Sequence, residues 1–184
     1  MLKKEQKCDI LPKLQKNIVL ALAKFGPMNI RETNKKLKGE YTSTNRAFHE
    51  LERKGIIQNV RTQQYRGREF QKFWLTDEGI VLALIHGANP DIVRSWAEQL
   101  YGENEAYGLI SDLAKALPQE RLSEIYALFK TTKEGKPQLK AIPITNNEVE
   151  IFFKTVMKYP SVQASVKKAL EEIEKMFKEV LRHE

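Results

Sequence analysis

The stretch Tyr41-Thr-Ser-Thr-Asn-Arg-Ala-Phe-His-Glu-Leu-Glu-Arg-Lys-Gly-Ile-Ile57 decides the fold of this chain, and Arg66-Gly67-Arg68 follows it closely. Phe48 and Leu51 lie three residues apart, which predicts a helix that turns both side chains inward. Gly55 predicts the end of this helix, since glycine readily adopts the left-handed conformation found after many helices. The outward positions are polar and mostly basic; they are Asn45, Arg46, His49, Glu50 and Arg53.

Two shorter helical segments are predicted before this stretch. Residues 11–25 carry apolar side chains at helical spacing, which predicts a first helix. The run Asn29-Ile-Arg-Glu32 has an Asn-led variant of the capping-box spacing, which predicts the start of a second helix. After a short turn, Thr42 or Ser43 would cap the third helix, residues 43–54.

A hairpin and a fourth helix are predicted after the stretch. Residues 57–63 and 69–75 have the composition of two strands, and Gly67 between them can supply the positive φ of a tight turn. Thr76 would cap a fourth helix that ends at Gly87. The order helix, helix, helix, strand, wing, strand, helix is that of a winged-helix domain.

The charge of the chain is unevenly distributed. Residues 1–86 contain 17 Lys and Arg against 9 Asp and Glu, a net of +8, whereas residues 87–184 contain 14 against 15, a net of −1. An N-terminal half with this excess is typical of a module that binds a polyanion, joined to a neutral partner domain. A basic face that only keeps the protein soluble is the alternative.

The run Phe48-His-Glu-Leu-Glu-Arg-Lys-Gly-Ile-Ile57, the basic hairpin after it and Leu75-Thr-Asp-Glu-Gly79 resemble bacterial and archaeal transcriptional regulators of the MarR and PadR type. The resemblance covers residues 10–87. It implies a winged helix-turn-helix domain that binds double-stranded DNA. Arg46, five residues before Leu51, matches a position where these families often place a DNA-contacting arginine.

In a winged helix the N-terminal part of the third helix lies nearest the base edges in the major groove. Arginine can pair with guanine and asparagine with adenine, and each pairing contributes about 1–3 kcal/mol of discrimination. The alternative is that these polar residues only cap and solvate the helix. The DNA-contacting residues predicted on this helix are Ser43, Asn45, Arg46, His49 and Arg53.

The hairpin adds a second group of predicted contacts. Arg66 and Arg68 flank the wing glycine, and arginine at a hairpin tip suits a narrow minor groove or a pair of phosphates. A solvated charged turn is the alternative. Arg61, Tyr65 and Lys72 lie on the same hairpin and would extend the contact with phosphates.

Residues 88–184 predict an all-helical domain, so the fold class is mainly α with a small β-hairpin. Helices are expected over residues 90–101, 103–117, 118–130, 146–159 and 161–183, with a loop at 131–143. The last helix carries a broad apolar stripe, which predicts a homodimer through the C-terminal helices or packing within the chain. The stripe consists of Val166, Ala169, Leu170, Ile173, Met176, Phe177, Val180 and Leu181. The aromatic residues of this half could line a pocket for a small-molecule effector, or simply form its core.

Other functional classes receive little support from the sequence. The chain contains one cysteine, Cys8, and its three histidines are far apart, so neither a disulfide framework nor a zinc site is expected. No cofactor-binding or catalytic motif is present, and a signal peptide or membrane span is not expected. We therefore expect a cytoplasmic DNA-binding transcriptional regulator with residues 1–87 as the DNA-binding domain and 88–184 as a dimerisation or regulatory domain. The rival is a winged-helix protein-interaction module within a larger assembly.

Overall fold

The computed structural model describes residues 11–65, 68–124, 126, 145–160, 163–164, 167–168 and 171, with the backbone alone at 63–65, 68, 146 and 149. The chain divides into two compact units, Met1–Trp96 and Ala97–Glu184. No helix within the described ranges has both the length and the apolar character needed to cross a membrane.

The first unit has the predicted winged-helix order. Its elements are α1 (Lys13–Phe25), α2 (Ile30–Leu37), α3 (Tyr41–Arg53), β1 (Ile57–Tyr65), β2 (Arg68–Leu75) and α4 (Asp77–Ile85). Helix α5 (Pro90–Tyr101) contains the boundary between the units. In the second unit, α6 (Glu105–Ala116) and α7 (Asn146–Val156) are described, and residues 119–124 are also helical. The predicted fold class, mainly α with a small hairpin, is confirmed.

The core of the first unit lies where α1, α3 and β2 meet. Phe48 of α3 and Phe73 of β2 contact edge to face, with 5.7 Å between ring centroids. Trp74 is fully buried, and its indole N–H donates to the carbonyl oxygen of Leu22 on α1 at 2.9 Å. Removing an aromatic ring from such a site costs about 3–5 kcal/mol. These contacts fix the hairpin against the helices before it.

The turn between α2 and α3 differs from the prediction. Helix α3 begins at Tyr41, two residues earlier than expected, and its N-cap residue Glu40 makes no side-chain capping bond. The expectation that Thr42 or Ser43 would cap the helix was wrong, because Ser43 is inside the helix and donates its hydroxyl to the Glu40 carboxylate at 2.8 Å. The left-handed residue that ends α2 is Lys38, with φ of 52°. The capping box at Asn29 and Glu32 is confirmed.

The hairpin is longer than predicted. β1 continues two residues further than expected and β2 begins one residue earlier, and the two strands pair antiparallel from Ile57 opposite Leu75 to Tyr65 opposite Arg68. The register shifts between Asn59 and Arg61. Residues 66 and 67, at the predicted tip, lie outside the described residues. A backbone bridge between Met28 and Phe73 joins the start of the helix-turn-helix to β2.

The junction between the hairpin and α4 is held by Thr76. As predicted, its hydroxyl oxygen accepts a hydrogen bond from the backbone N–H of Gly79, at 3.2 Å. The same hydroxyl lies 2.6 Å from the carbonyl oxygen of Gly55, to which it donates. Gly55 has φ of 69°, and its predicted role as the stop after α3 is confirmed. Thr76 therefore ties the end of the α3 segment to the start of α4.

In the second unit, α6 packs against α7 and the residues that follow it. Gly108 lies so close to Tyr159 that an added Cβ would be 2.6 Å from the ring. The Asp112 carboxylate accepts hydrogen bonds from the Tyr159 hydroxyl at 3.1 Å and from Lys158 at 3.2 Å. Burial raises the pKa of Asp112, but the two hydrogen bonds together lower it by more than burial raises it. The pKa of Asp112 therefore lies below its ordinary value.

Two helices of the second unit have other boundaries than predicted, and two further predictions concern residues that the structure does not describe. Helix α6 starts after its cap Asn104, and α7 ends at Val156, three residues earlier than expected, because Met157 begins a turn before Pro160. The predicted loop at 131–143 lies outside the described residues. So does the apolar stripe predicted on the last helix.

Candidate nucleic-acid interface

Helix α3 has one buried and one exposed side. The buried side consists of Thr44, Ala47, Phe48 and Leu51, as predicted. Because a helix advances about 100° per residue, positions 42, 46, 49 and 53 form a stripe on the opposite side. All four of these residues are exposed: Thr42, Arg46, His49 and Arg53. We call them the outer stripe of α3.

The cations of the outer stripe are available for an external partner. Among the described residues, neither Arg46 nor Arg53 has a polar partner. The His49 ring is weakly engaged, with its Nδ1 3.6 Å from the Glu52 carboxylate. Asn45 is half-buried beside the stripe, and the Ser43 hydroxyl is already donated to Glu40. The structure therefore brings Arg46, His49 and Arg53 together, with Ser43 and Asn45 at their margin.

Helix α3 is held from its flank by a polar contact that sequence reasoning missed. Gln15 of α1 is 3% exposed, and its amide donates to the Glu50 carboxylate at 2.5 Å. Lys54 donates to the carbonyl oxygen of the same amide at 3.1 Å. Glu50 had no predicted role, and its carboxylate is directed to α1. The sequence contains one sign of this contact: Gln15 is a polar residue on the apolar side of α1, between Leu14 and Ile18.

The strand register gathers the predicted hairpin residues on one face. Arg61 pairs with Lys72, and Tyr65 pairs with Arg68, so alternation along each strand places these four positions on the same side of the hairpin. Arg61 is exposed. Two cations directly opposite each other disfavour the pairing of strands. The pairing therefore concentrates positive charge on this face of the hairpin.

Lys72 is partly compensated by an acidic neighbour. Its ammonium group lies 3.7 Å from Glu32, and its side chain is 25% exposed. Glu32 also accepts the backbone N–H of Asn29 in the capping box, so one carboxylate serves both α2 and the hairpin. Lys72 is consequently less available to an external anion than Arg61 is. The predicted contact Arg66 lies outside the described residues, and Tyr65 and Arg68 are described by backbone only.

An open cleft of about 450 Å³ lies between the start of α2, α3 and β2. His49 lines one side of it, and Arg31, which the sequence did not single out, lines another. The remaining lining residues are Asn29, Ile30, Tyr41, Glu69, Phe70, Gln71 and Phe73. His49 therefore shares this cleft with polar and aromatic side chains of α2, α3 and β2.

The two structural units differ in net charge. Residues 1–96 contain 18 Lys and Arg against 10 Asp and Glu, a net of +8, and residues 97–184 contain 13 against 14, a net of −1. The outer stripe and the hairpin therefore belong to the cationic unit. In the ranges that the structure describes, no group of three or more His, Cys, Asp or Glu side chains could hold a metal ion.

The described aromatic residues of the second unit include two ring pairs, each formed by residues close together in the chain. The rings of Tyr101 and Tyr107 are 6.4 Å apart, and those of Phe152 and Phe153 are 6.1 Å apart at a steep angle. Phe152 and Phe153 are both exposed. Phe129, another aromatic residue of the C-terminal half, lies outside the described residues. An effector pocket stays a prediction.

Comparison with known proteins gives only distant structural likenesses. No family model matches the chain, and no curated protein matches it. The solved structure of a cysteine-to-serine mutant of Lactococcus lactis ZitR is similar at a TM-score of 0.38 and 18% identity, covering 73% of this chain and 82% of the other. Wild-type L. lactis ZitR in complex with DNA is similar at 0.33 and 14%, with the same coverage. Because both TM-scores lie below 0.5, we identify the winged helix-turn-helix fold from the order and packing of this chain's own elements.

Proposed function

We propose that this protein is a non-catalytic transcriptional regulator that binds double-stranded DNA sequence-specifically as a homodimer. The single observation that carries the proposal is the outer stripe of α3, where Arg46, His49 and Arg53 are exposed directly opposite the buried side of the helix. On the resemblance of its sequence, we group it with regulators of the MarR and PadR type. Residues 1–87 bind DNA in this account, and residues 88–184 form the dimer.

The outer stripe suits the major groove of DNA. That groove is about 12 Å wide and admits an α-helix. Arg46 lies in the N-terminal half of α3, where base edges are within reach, and it reads a guanine. Ser43, Asn45 and His49 contribute to the same contact, and Arg53 lies closer to the phosphates. Glu50 does not interfere, because its carboxylate is held by Gln15.

The hairpin suits the adjacent backbone and minor groove. Arg61, Tyr65, Arg68 and Lys72 share one face by register, and Arg66 is at the predicted tip. Arginine is favoured in narrow minor grooves because their negative potential is strong. The net charge of +8 on residues 1–96 supplies the long-range attraction that brings the protein to any DNA. The hairpin therefore contributes affinity, whereas α3 contributes sequence preference.

The homodimer is proposed from the C-terminal half. The apolar stripe predicted on residues 161–183 is broad enough for contact with a second chain. Exposed apolar residues on and just after α7 support it: Phe153 and Met157, one turn apart, are 51% and 65% exposed. A two-fold dimer presents two copies of α3 to successive major grooves, which are about 34–36 Å apart along the DNA.

A gel-shift titration with random-sequence duplex DNA at increasing salt tests the proposal against its rival. We expect a shift at low salt, with an affinity that falls steeply as salt rises, because bound phosphates release counterions. The rival, a protein-interaction winged helix, predicts no shift. Binding that does not respond to salt would contradict the proposed interface.

Two variants of the protein show whether the salt dependence comes from the hairpin or from net charge alone. Arg68→Ala removes one proposed phosphate contact, so the slope of log affinity against log salt should become shallower by about 0.9. Lys167→Ala removes an equal charge from an exposed helical position in the second unit and should leave the slope unchanged. Equal effects of both variants would show that net charge alone, and not the hairpin, determines binding.

A further inference from the structure

We propose that Gln15 is a positioning residue that fixes the rotation of α3 about its own axis and so sets the sequence specificity of DNA binding. This inference rests on the proposed function. It goes beyond it by assigning specificity to a buried residue of α1 that does not face the DNA. It starts from the polar contact between Gln15, Glu50 and Lys54.

The contact uses both ends of one amide. The Gln15 N–H group donates to Glu50 at 2.5 Å, and its carbonyl oxygen accepts from Lys54 at 3.1 Å. A carboxamide is suited to this because it carries a donor and an acceptor on the same rigid group. Gln15 is 3% exposed, whereas Glu50 is half-buried and Lys54 is exposed, so the amide is shielded from water on the α1 side of the contact.

The contact lies on the flank of α3, where it resists rotation of the helix about its own axis. Glu50 and Lys54 are four residues apart, one above the other, and at about 100° per residue both lie on the flank of α3 between its buried and outer sides. A rotation of about 20° moves a group about 5–6 Å from the helix axis by about 2 Å, which breaks a hydrogen bond. The buried side of α3 is held by Phe48 against Phe73 and by the Thr44 hydroxyl, which donates to Asn34. The Gln15 contact adds a directional hold on the flank, which sets the final angle of the helix.

The same rotation would displace the reading residues. Arg46 and His49 lie on the outer stripe, at a radius similar to that of Glu50, so they move by a comparable distance. Contacts with base edges need their groups held to about 0.5 Å and 10–20°. Contacts with phosphates depend mainly on charge and survive such a displacement. Loss of the Gln15 contact should therefore reduce discrimination between sequences more than it reduces affinity for random DNA.

A charge-exchange series tests this. Gln15→Glu places a second carboxylate against Glu50, and the repulsion should turn the flank of α3 away from α1. Adding Glu50→Gln restores a donor at position 50, so that the new carboxylate at position 15 accepts from both the new amide and Lys54. The measurement is the ratio of dissociation constants for random DNA and for a selected site. We expect about a tenfold fall in this ratio for the single variant, equivalent to about 1.4 kcal/mol of lost coupling, and recovery in the double variant.

Three controls keep the result interpretable. Gln119→Glu makes the same chemical change at an exposed position of the second unit and should leave the ratio unchanged. If Gln15→Glu does not fold, Lys54→Met removes one partner from an exposed position and should lower the ratio in the same direction. Residual dipolar couplings of the free protein report the orientation of α3 without DNA, and they should change in the single variant and return in the double variant.

The outcomes separate this inference from the proposed function. An unchanged ratio in a folded Gln15→Glu protein would overturn the inference, as would a ratio that falls but is not recovered by Glu50→Gln. If the wild type does not bind DNA at all, the proposed function fails and the role in specificity fails with it. The dipolar couplings still decide in that case whether Gln15 orients α3.

Discussion

Gly79 provides a sharp test of how α4 is joined to the hairpin. It lies in the first turn of α4, where its backbone N–H is accepted by the Thr76 hydroxyl. A Cβ added there would overlap the carbonyl oxygen of Ile56 and come within 3.2 Å of the Ile56 carbonyl carbon and of the Leu75 Cβ. The obstructing atoms are mainly backbone, so a side-chain rotation cannot remove the clash. Gly79→Ala must therefore move α4 away from the end of the α3 segment.

The size of the effect can be worked from these contacts. Overpacking of this kind costs about 1–3 kcal/mol. Displacing the Ile56 carbonyl also weakens the hydrogen bond that it accepts from the Thr76 N–H at 3.1 Å, which costs about 0.5–1.5 kcal/mol more. Alanine recovers about 1 kcal/mol through its higher helix propensity. The net cost is about 2 kcal/mol, which for a unit of this size lowers Tm by about 8–16 °C.

Thermal unfolding followed by circular dichroism measures this, with Gly39→Ala as the matched control. Gly39 has no positive φ, and its added Cβ would meet nothing closer than 3.6 Å, an ordinary contact. That substitution should leave Tm within a few degrees of the wild type, or raise it slightly through the unfolded state. If Gly79→Ala melts together with the wild type, or if the two variants lose equal stability, the proposed close approach of α4 and Ile56 is wrong.

Three further predictions concern single side chains. Arg46→Ala should weaken binding to a preferred site by about 5- to 150-fold, from 1–3 kcal/mol of lost discrimination, with little effect on random DNA or on Tm; equal losses on both DNAs in an anisotropy titration would contradict a reading role. Arg61→Ala should make the salt dependence of binding shallower by about 0.9, and an unchanged slope would remove Arg61 from the interface. The pKa of Asp112 lies below its ordinary value of 3.8, so its carboxylate stabilises the fold above that pH and the stabilisation is lost as pH falls through the lowered pKa. Asp112→Asn should therefore lose less stability on acidification than the wild type in urea titrations, and identical pH profiles would refute this.

Sequence patterns were sufficient wherever the deciding interaction is local. The buried side of α3 follows from the spacing of Phe48 and Leu51, because helical periodicity alone places them together. The capping box at Asn29 and Glu32 and the cap at Thr76 involve residues three apart, so they could be predicted from the chain itself. The stop at Gly55 depends on the backbone freedom of that one residue.

The prediction failed where a distant residue decides the local structure. Thr44 is fully buried, and its hydroxyl donates to Asn34 of α2 at 2.8 Å, which ties the first turn of α3, beginning at Tyr41, to α2. No pattern within the stretch contains that partner. The role of Glu50 was also missed, because its hydrogen-bond donor Gln15 is 35 residues away. The outer stripe could be predicted, but the contact that orients it could not.

In vitro selection of bound duplex DNA from a random pool tests the central claim most directly. We expect enrichment of a two-fold symmetric site, with half-sites about 10–10.5 base pairs apart or a multiple of that distance, because two copies of α3 enter successive major grooves. The protein should lose this enrichment when Arg46 is replaced by alanine, while its affinity for the starting pool persists. A pool that remains random after selection with the wild-type protein would contradict sequence-specific DNA binding by this chain.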